Sequence, residues 1–328
     1  NGWVHFDRII ASIDRAKRKA NRSLVCEAEY DLVIVDEAHH CKNHKTLGWQ
    51  LVNMLKKRYI LLLTATPIEN SMEELFNLIT LLSPGQLDTA QNFRRRFISR
   101  GDKLKPRNVD SLKSLLKDIM VRNRRSETNS ITVRRYAETI EIPLSFAEKS
   151  LYDDITNLVR RNFYSNENTS LNHLSLKVLQ RQIGSSTWAV APTLEKIASN
   201  DKNPPELSKN LKKMAAQAEE IHDNSKAQAL LKLLSGISEK VLIFTGFQRT
   251  REYLVDFLQN AGLKVATLHG SMLRLEKERA VDDFKNSAQV LVSTESGGEG
   301  RNLQFCNVII NYDLPWNPMR IEQRIGRI

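Results

Sequence analysis

The chain has 328 residues, about two domains at roughly 150 residues each. Its 41% apolar and 27% charged residues exclude a disordered tail, and no run approaches the roughly 18 consecutive apolar residues of a membrane helix. Forty-nine Lys and Arg against 38 Asp and Glu leave a net charge of +11, the footprint of a binder of acidic polymers, because neutralised phosphates release counterions.

In chain order, the first region alternates short apolar runs with amphipathic segments, the pattern of parallel strands covered by helices. Leu32-Val33-Ile34-Val35 and Tyr59-Ile60-Leu61-Leu62-Leu63 read as buried strands, with a helix from about Thr46 to Lys57 between them. Another helix follows, opened by Ser71 and Glu74 at capping-box spacing and stopped by Ser83-Pro84-Gly85. From about Gln86 to Asn224 the chain turns helical and polar. Ser145 with Glu148 makes a second capping box ahead of Leu151, Ile155, Leu158 and Val159, which recur at helical spacing. Asp201 to Leu207, with Pro204-Pro205 in a polar setting, is the best linker candidate. Strands return at Val241 to Thr245, Val265 to His269, Val290 to Ser293 and Val308 to Asn311, and a helix from about Thr250 to Asn260, ended by Gly262, connects the first two. The expected class is α/β, with two parallel-sheet lobes, residues 1–85 and 225–328, joined by a helical insertion over residues 86–224.

Cys26, Cys41 and Cys306 are too few and too scattered for a disulfide framework, so a reducing, cytoplasmic setting without a membrane partner is expected. The chain opens Asn1-Gly2-Trp3 without an initiator Met and stops at Ile328 after a basic, Gly-containing segment. Both ends read as cut from something longer.

The sharpest local signal is Val33-Ile34-Val35-Asp36-Glu37-Ala38-His39, where apolar strand residues deliver two carboxylates to a strand's C-terminal end, the edge at which open α/β sheets bind ligands. One carboxylate there can hold Mg²⁺ through its water shell while its neighbour orients or deprotonates an attacking water. Asp36 is the candidate metal residue and Glu37 the candidate base; a solvated acidic turn is the plain alternative. Leu63-Thr64-Ala65-Thr66-Pro67 ends the next strand with small hydroxyl residues. Thr64 and Thr66 can hydrogen-bond the acid pair and relay nucleotide state to a neighbouring lobe, although the run alone also fits a Pro-terminated strand. Ser293-Thr294-Glu295-Ser296-Gly297-Gly298-Glu299-Gly300-Arg301 follows a strand with glycines and hydroxyls that permit close approach to phosphate or to a facing lobe. Gln323-Arg324-Ile325-Gly326-Arg327 supplies an Arg able to reach the charge on a transferring γ-phosphoryl group, while two arginines here also fit a solvated helix face. The clusters Arg94-Arg95-Arg96, Arg122 to Arg125 and Arg134-Arg135 lack interleaved aromatics. They fit phosphate tracking along a duplex better than base stacking on a single strand.

In this order the four blocks resemble those of superfamily-two helicases, and within them the Swi/Snf family of DNA-translocating ATPases. Asp36-Glu37-Ala38-His39 is similar to motif II (Walker B, the DEAH box), Leu63 to Pro67 to motif III, Val290 to Gln304 to motif V and Gln323 to Arg327 to the start of motif VI. Ser12-Ile13-Asp14 resembles motif Ib, Ile243-Phe244-Thr245 motif IV, and Leu268-His269-Gly270-Ser271 the block after it. Thr66-Pro67-Ile68-Glu69-Asn70, Leu82-Ser83-Pro84-Gly85 and Phe93 to Phe97 resemble the family's run after motif III, and Pro143-Leu144-Ser145 through Leu151-Tyr152 the segment before its helical insertion.

The resemblance implies two RecA-like lobes, ATP and Mg²⁺ as cofactors, and catalytic roles for Asp36, Glu37 and Arg327. It further implies coupling of nucleotide state through His39, Thr64, Ala65, Thr66, Gly298, Gly300 and Gln323. DNA contacts are expected from His269, Ser293 and Thr294, together with Arg94, Arg95, Arg96, Arg124 and Arg125 of the basic clusters. No Gly-x-x-x-x-Gly-Lys-Ser/Thr occurs in the chain, so the first lobe is expected to be incomplete and to lie largely upstream of Asn1. Motif VI also stops before the family's second Arg, which leaves Arg327 as the finger. The stretch alone is not expected to hydrolyse ATP efficiently. Arg301, where eukaryotic remodellers usually carry Leu, and Ile119 to Arg125 look closer to bacterial or archaeal members, including the ATPase that recycles RNA polymerase.

The leading reading is an ATP-dependent translocase on double-stranded DNA that remodels or displaces protein–DNA complexes, with RNA polymerase or another DNA-bound protein as partner. A strand-separating RNA or DNA helicase, or the motor of a restriction or repair complex, is the second. A lobe pair that binds nucleic acid or a polymerase without turnover is the third.

Overall fold

The structure is a computed structural model that describes residues 2–64, 67–68, 71–99, 101–121, 135–163, 171–222, 224–298, 302–316 and 318–326. It divides into two compact units, Asn1–Tyr136 and Ala137–Ile328, so the helical stretch between the lobes is shared between them.

In the first unit α1 (Gly2–His5), α2 (Ile13–Ala16) and α3 (Lys19–Glu27) precede β1 (Glu29–Val35). α4 (Leu47–Met54) returns the chain to β2 (Lys56–Leu62), which pairs with β1 in parallel and sets Val35 against Leu62. α4 is shorter than the expected 46–57, because Thr46 is its N-cap, accepting from Trp49 N–H, and Lys56 already belongs to β2. α5 (Met72–Leu82) starts at Ser71, whose hydroxyl accepts from Glu73 N–H, and its exit passes through Gly85 at φ +87°. Val35, Ala38, Cys41, Val52, Leu78 and Leu81 form the core beneath this strand pair.

The two strands are not buried on both faces, as their apolar runs suggested. Leu32, Ile34, Tyr59 and Leu61 are each about half exposed. Side chains alternate sides along a strand, and α4 and α5 pack against the Val33, Val35, Ile60 and Leu62 side alone. α6 (Ala90–Phe97), the hairpin β3 (Ile98–Ser99) with β4 (Asp102–Pro106), and α7 (Val109–Leu116) follow. Phe93 and Phe97, one turn apart on α6, join Met72, Ile79, Leu112 and Leu116 in a second core.

The second unit begins with a helical block of α8 (Phe146–Phe163), α9 (His173–Ser185), α10 (Thr187–Ala198) and α11 (Pro205–Glu220) around Ile155, Leu176, Leu179, Val190, Leu194 and Leu211. The capping box ahead of α8 forms, with Glu148 N–H donating to Ser145 Oγ and Ser145 N–H to Glu148 Oε2. The proposed linker at 201–207 is instead a tight turn into α11. Pro205 is the first helical residue, where its missing N–H costs nothing, and buried Asn203 donates to Ile197 O at 2.6 Å.

α12 (Ser225–Ser235) leads into a four-stranded parallel sheet of β5 (Val241–Thr245), β6 (Val265–Leu268), β7 (Val290–Thr294) and β8 (Val308–Asn311), in the order β6-β7-β5-β8. α13 (Gln248–Asn260) and α14 (Arg274–Asn286) are its crossovers, and the left-handed turn after α13 falls on Gly262 at φ +86°. Here both faces are covered. Val241, Ile243, Val290 and Val292 pack with α12 and α13, while Leu242, Phe244 and Leu291 pack with Phe284 of α14. The short α15 (Glu295–Gly298) follows β7, and α16 (Pro318–Ile325) closes the unit. The α/β class with parallel sheets holds in both units.

Candidate functional site

In the first unit the acid pair sits where β1 ends. Leu63 N–H donates to Val35 O and Ala38 N–H to Leu63 O, both at 2.9 Å, so the turn after β1 is laced to the end of β2. This brings Thr64 to the edge that carries Asp36 and Glu37. Glu37 adopts a left-handed backbone, φ 49° and ψ 46°, which costs a non-glycine residue about 1 kcal/mol or more. Its N–H donates to Asp36 Oδ1 at 2.8 Å, and its carboxylate lies 3.2 Å from His39 Nδ1. His40 packs against the His39 ring, and Ala38 and Cys41 anchor this 3-10 turn in the core. The strained backbone holds two exposed hard-oxygen carboxylates side by side beyond the sheet. That donor set fits Mg²⁺, which keeps most of its waters and takes one or two protein carboxylates.

On α6 the three arginines are exposed, while Phe93 and Phe97 are buried. Arg94 is tied to Glu73 at 2.6 Å, Arg95 bonds Asn92 one turn earlier, and Arg96 lies over the Phe97 ring. The cluster is exposed, and its charge is offset at Arg94.

In the second unit the corresponding edge is formed by the ends of β5, β6, β7 and β8. Ser293 ends fully buried, its hydroxyl donating to Thr294 O, and Thr294 Oγ1 is buried without a hydrogen-bond partner among the described residues. Both hydroxyls are thus turned into the protein at the end of β7. Gly297 packs so closely on the end of β6 that a Cβ there would meet Leu268 O at 2.4 Å, and a Cβ on Gly298 would meet Phe244 and Ser293. The backbone after β7 therefore lies directly against Leu268 and His269. His269 is half-buried and bonds Ser271 at 2.8 Å. Burial, then the nearby Arg251 guanidinium, holds its imidazole below the ordinary value, so its neutral form is favoured.

Gln323 is half-buried on α16. Its neighbour Arg324 is not on a solvated helix face. It is buried against Glu295, Asn311 and the Phe244 ring. Ala65, Thr66, Gly300, Arg327, Arg124 and Arg125 lie outside the described residues.

One residue absent from the sequence-based site organises the second edge. Asp313 follows β8 and accepts from Thr245 Oγ1 at 2.7 Å, Gly246 N–H at 2.8 Å and Ser185 Oγ at 2.8 Å, while Lys226 Nζ lies 3.1 Å from its other oxygen. It ties the end of β5 to the end of α9 and the start of α12. The local pattern that marks Asp36 does not mark it, because Asn311 and Tyr312 separate it from the apolar run and its partners lie far off in sequence.

The chain matches the SNF2-related domain family over residues 3–203 and the helicase conserved C-terminal domain family over residues 225–328. It is 42% identical over 328 residues to the Bacillus subtilis protein named Uncharacterized ATP-dependent helicase YqhH, covering 99% of this chain and 58% of that one. ISWI chromatin-remodeling complex ATPase ISW1 of Saccharomyces cerevisiae is 25% identical, across 98% of this chain and 28% of its own length. The chain spans little more than half the first relative and under a third of the second. Among solved structures, a Sulfolobus solfataricus SWI2/SNF2 ATPase core in complex with dsDNA aligns with 96% of this chain and 64% of its own at 22% identity and a TM-score of 0.37.

Proposed function

The chain belongs to the SNF2-related family of helicase-like ATPases, and on that premise we propose that the protein is an ATP-dependent translocase on double-stranded DNA. The observation that carries the reading is the strand-end acid pair, held by a left-handed turn and laced to the following strand. Asp36 is the residue that would hold Mg²⁺ through its water shell, and the bound ion would neutralise phosphate charge. Glu37, fixed beside His39, orients the attacking water and takes its proton. Arg327 stabilises the charge on the transferring γ-phosphoryl group, and His39, Thr64, Gly298 and Gln323 couple nucleotide state to the DNA-gripping loops.

The net charge of +11 supports a duplex partner, as do relatives whose names are those of chromatin-remodelling ATPases. The displaced cargo is a DNA-bound protein, RNA polymerase included, in a cytoplasmic or nucleoid setting.

Phosphate release by the full-length protein with ATP and Mg²⁺ tests this, compared across no nucleic acid, duplex DNA, single-stranded DNA and RNA. Stimulation chiefly by duplex is expected. Stimulation chiefly by RNA or single strands would replace the reading with a strand-separating helicase, and no turnover under any condition with a binding-only protein. Glu37→Gln is expected to keep nucleotide binding and lower kcat by roughly a hundredfold or more. Near-normal turnover in that variant would remove Glu37 from its role.

A further inference from the structure

Two arginines one turn apart on α16, Arg320 and Arg324, converge on the single carboxylate of Glu295, the residue directly after β7. Arg324 is the deeper of the two, only 4% exposed. Its Nη2 donates to Glu295 Oε1 at 2.8 Å, and its Nη1 donates to Asn311 Oδ1 at 2.6 Å and to Asp313 O at 3.1 Å. Its guanidinium lies 4.9 Å from the centre of the Phe244 ring, and its Nε is buried without a hydrogen-bond partner among the described residues. One side chain therefore touches the ends of β5, β7 and β8 from the helix that carries Gln323. A guanidinium committed on this scale cannot swing out to a phosphate without stripping Asn311 Oδ1 and Glu295 Oε1 of their donor and leaving Glu295 to Arg320 alone, a penalty at a buried site.

We propose that Arg324 is a positioning residue that, through Glu295, locks α16 to the turn after β7, so that the helix carrying Gln323 and the loop against His269 move as one piece. This rests on the translocase reading, in which Gln323 of α16 and Gly298 of the β7 turn both couple nucleotide state to the DNA-gripping loops. The strut gives those two assignments a shared rigid element, a physical route by which grip on DNA and the geometry around the γ-phosphate can be linked. It also separates the two arginines of Gln323-Arg324-Ile325-Gly326-Arg327 into different jobs, with Arg324 structural to the coupling and Arg327 left for the phosphate. Lys in place of Arg324 keeps the charge but loses the planar fork that meets Glu295 and Asn311 together.

The test uses the full-length protein with Glu295→Gln, Arg324→Lys, Arg324→Gln and the double variant Glu295→Gln/Arg324→Gln. Steady-state ATP turnover with duplex DNA is expected to lose about tenfold in kcat in each single variant, with KM for ATP and nucleotide-free duplex affinity within about threefold of wild type. The double variant is expected to be no worse than Arg324→Gln alone, since both changes break one unit.

A second readout does not depend on turnover. Amide hydrogen exchange is expected to rise together over 318–326 and 294–298 in Glu295→Gln while β5 stays protected. Unchanged exchange in α16 would overturn the strut whatever the kinetics show. A rise in KM with kcat retained would also overturn it, by making Arg324 a direct nucleotide contact. Wild-type protein without duplex-stimulated turnover would instead sink the parent reading, and exchange would still decide whether the two segments are fastened.

Discussion

The two parallel sheets are written in nearly the same alphabet and end up in different surroundings. Leu32-Val33-Ile34-Val35 and Tyr59-Ile60-Leu61-Leu62 in the first unit are as apolar as Val241-Leu242-Ile243-Phe244 and Val290-Leu291-Val292 in the second. In the second unit every residue of β5 and β7 is buried, because helices cover both faces. In the first, α4 and α5 cover one face and leave Leu32, Ile34, Tyr59 and Leu61 open. Within these 328 residues the difference lies in what packs on each sheet and not in the composition of the strands.

The largest expected effect tests that contrast with one substitution on each side. Leu242→Ala in β5 removes a fully buried side chain and is expected to destabilise the second unit by about 2–5 kcal/mol. Leu61→Ala in β2, at 50% exposure, is expected to cost the isolated 328-residue chain about 1 kcal/mol or less. Urea unfolding followed by probes in each unit measures both. A large loss at Leu61 would mean that the open face is covered in solution.

Next in size is Asp313→Ala, which strips the acceptor from Thr245, Gly246 and Ser185 and leaves Lys226 without its carboxylate. A loss of about 3 kcal/mol is expected in the second unit, with the helical block released first. Hydrogen exchange in α9 and α12 reads this, and unchanged protection there would mean the block is held by packing alone. Gly297→Ala follows at about 1–3 kcal/mol, since the new Cβ would meet backbone at Leu268 rather than a side chain that can turn away. Thermal unfolding measures it, and a neutral result would mean that the β6 end yields easily.

What the sequence discloses and what it hides divides along sequence distance. Asp36 and Glu37 are legible because an apolar strand followed at once by two acids is a local pattern. So are Ser145 with Glu148, and the run from Leu151 to Val159. Arg324 is not, because a run of eight helical residues does not say which side meets a sheet built up to eighty residues earlier. Asp313 is missed for the same reason, with three of its partners on β5, α9 and α12. The prolines at 204 and 205 misled because Pro is both a linker residue and a good first residue of a helix.

Glu148 joins the two kinds of information in one side chain. Its local job, the capping box on Ser145, is visible in the sequence, while its second lies 77 residues away, where Ser225 N–H and Oγ both donate to it at the start of α12. A carboxylate at two helix N-termini is favoured by both dipoles. Burial alone would raise its pKa, but the hydrogen bonds from Ser225 and Ser145 outweigh burial and leave it lowered. A carboxylate whose folded pKa is depressed contributes stability that is complete above its unfolded value and is lost as pH falls through the folded one. Glu148→Gln is therefore expected to cost the second unit about 1–2 kcal/mol at neutral pH, with the gap from wild type closing in acid. The helix start in the first unit supplies the contrast, because Ser71 caps α5 with a hydroxyl that does not titrate. Ser71→Ala is expected to cost about 1 kcal/mol with no such closing of the gap. Urea unfolding of both variants from neutral pH down through the carboxylate range compares them, and a Glu148→Gln gap that stays constant would show that this cap acts by shape rather than by charge.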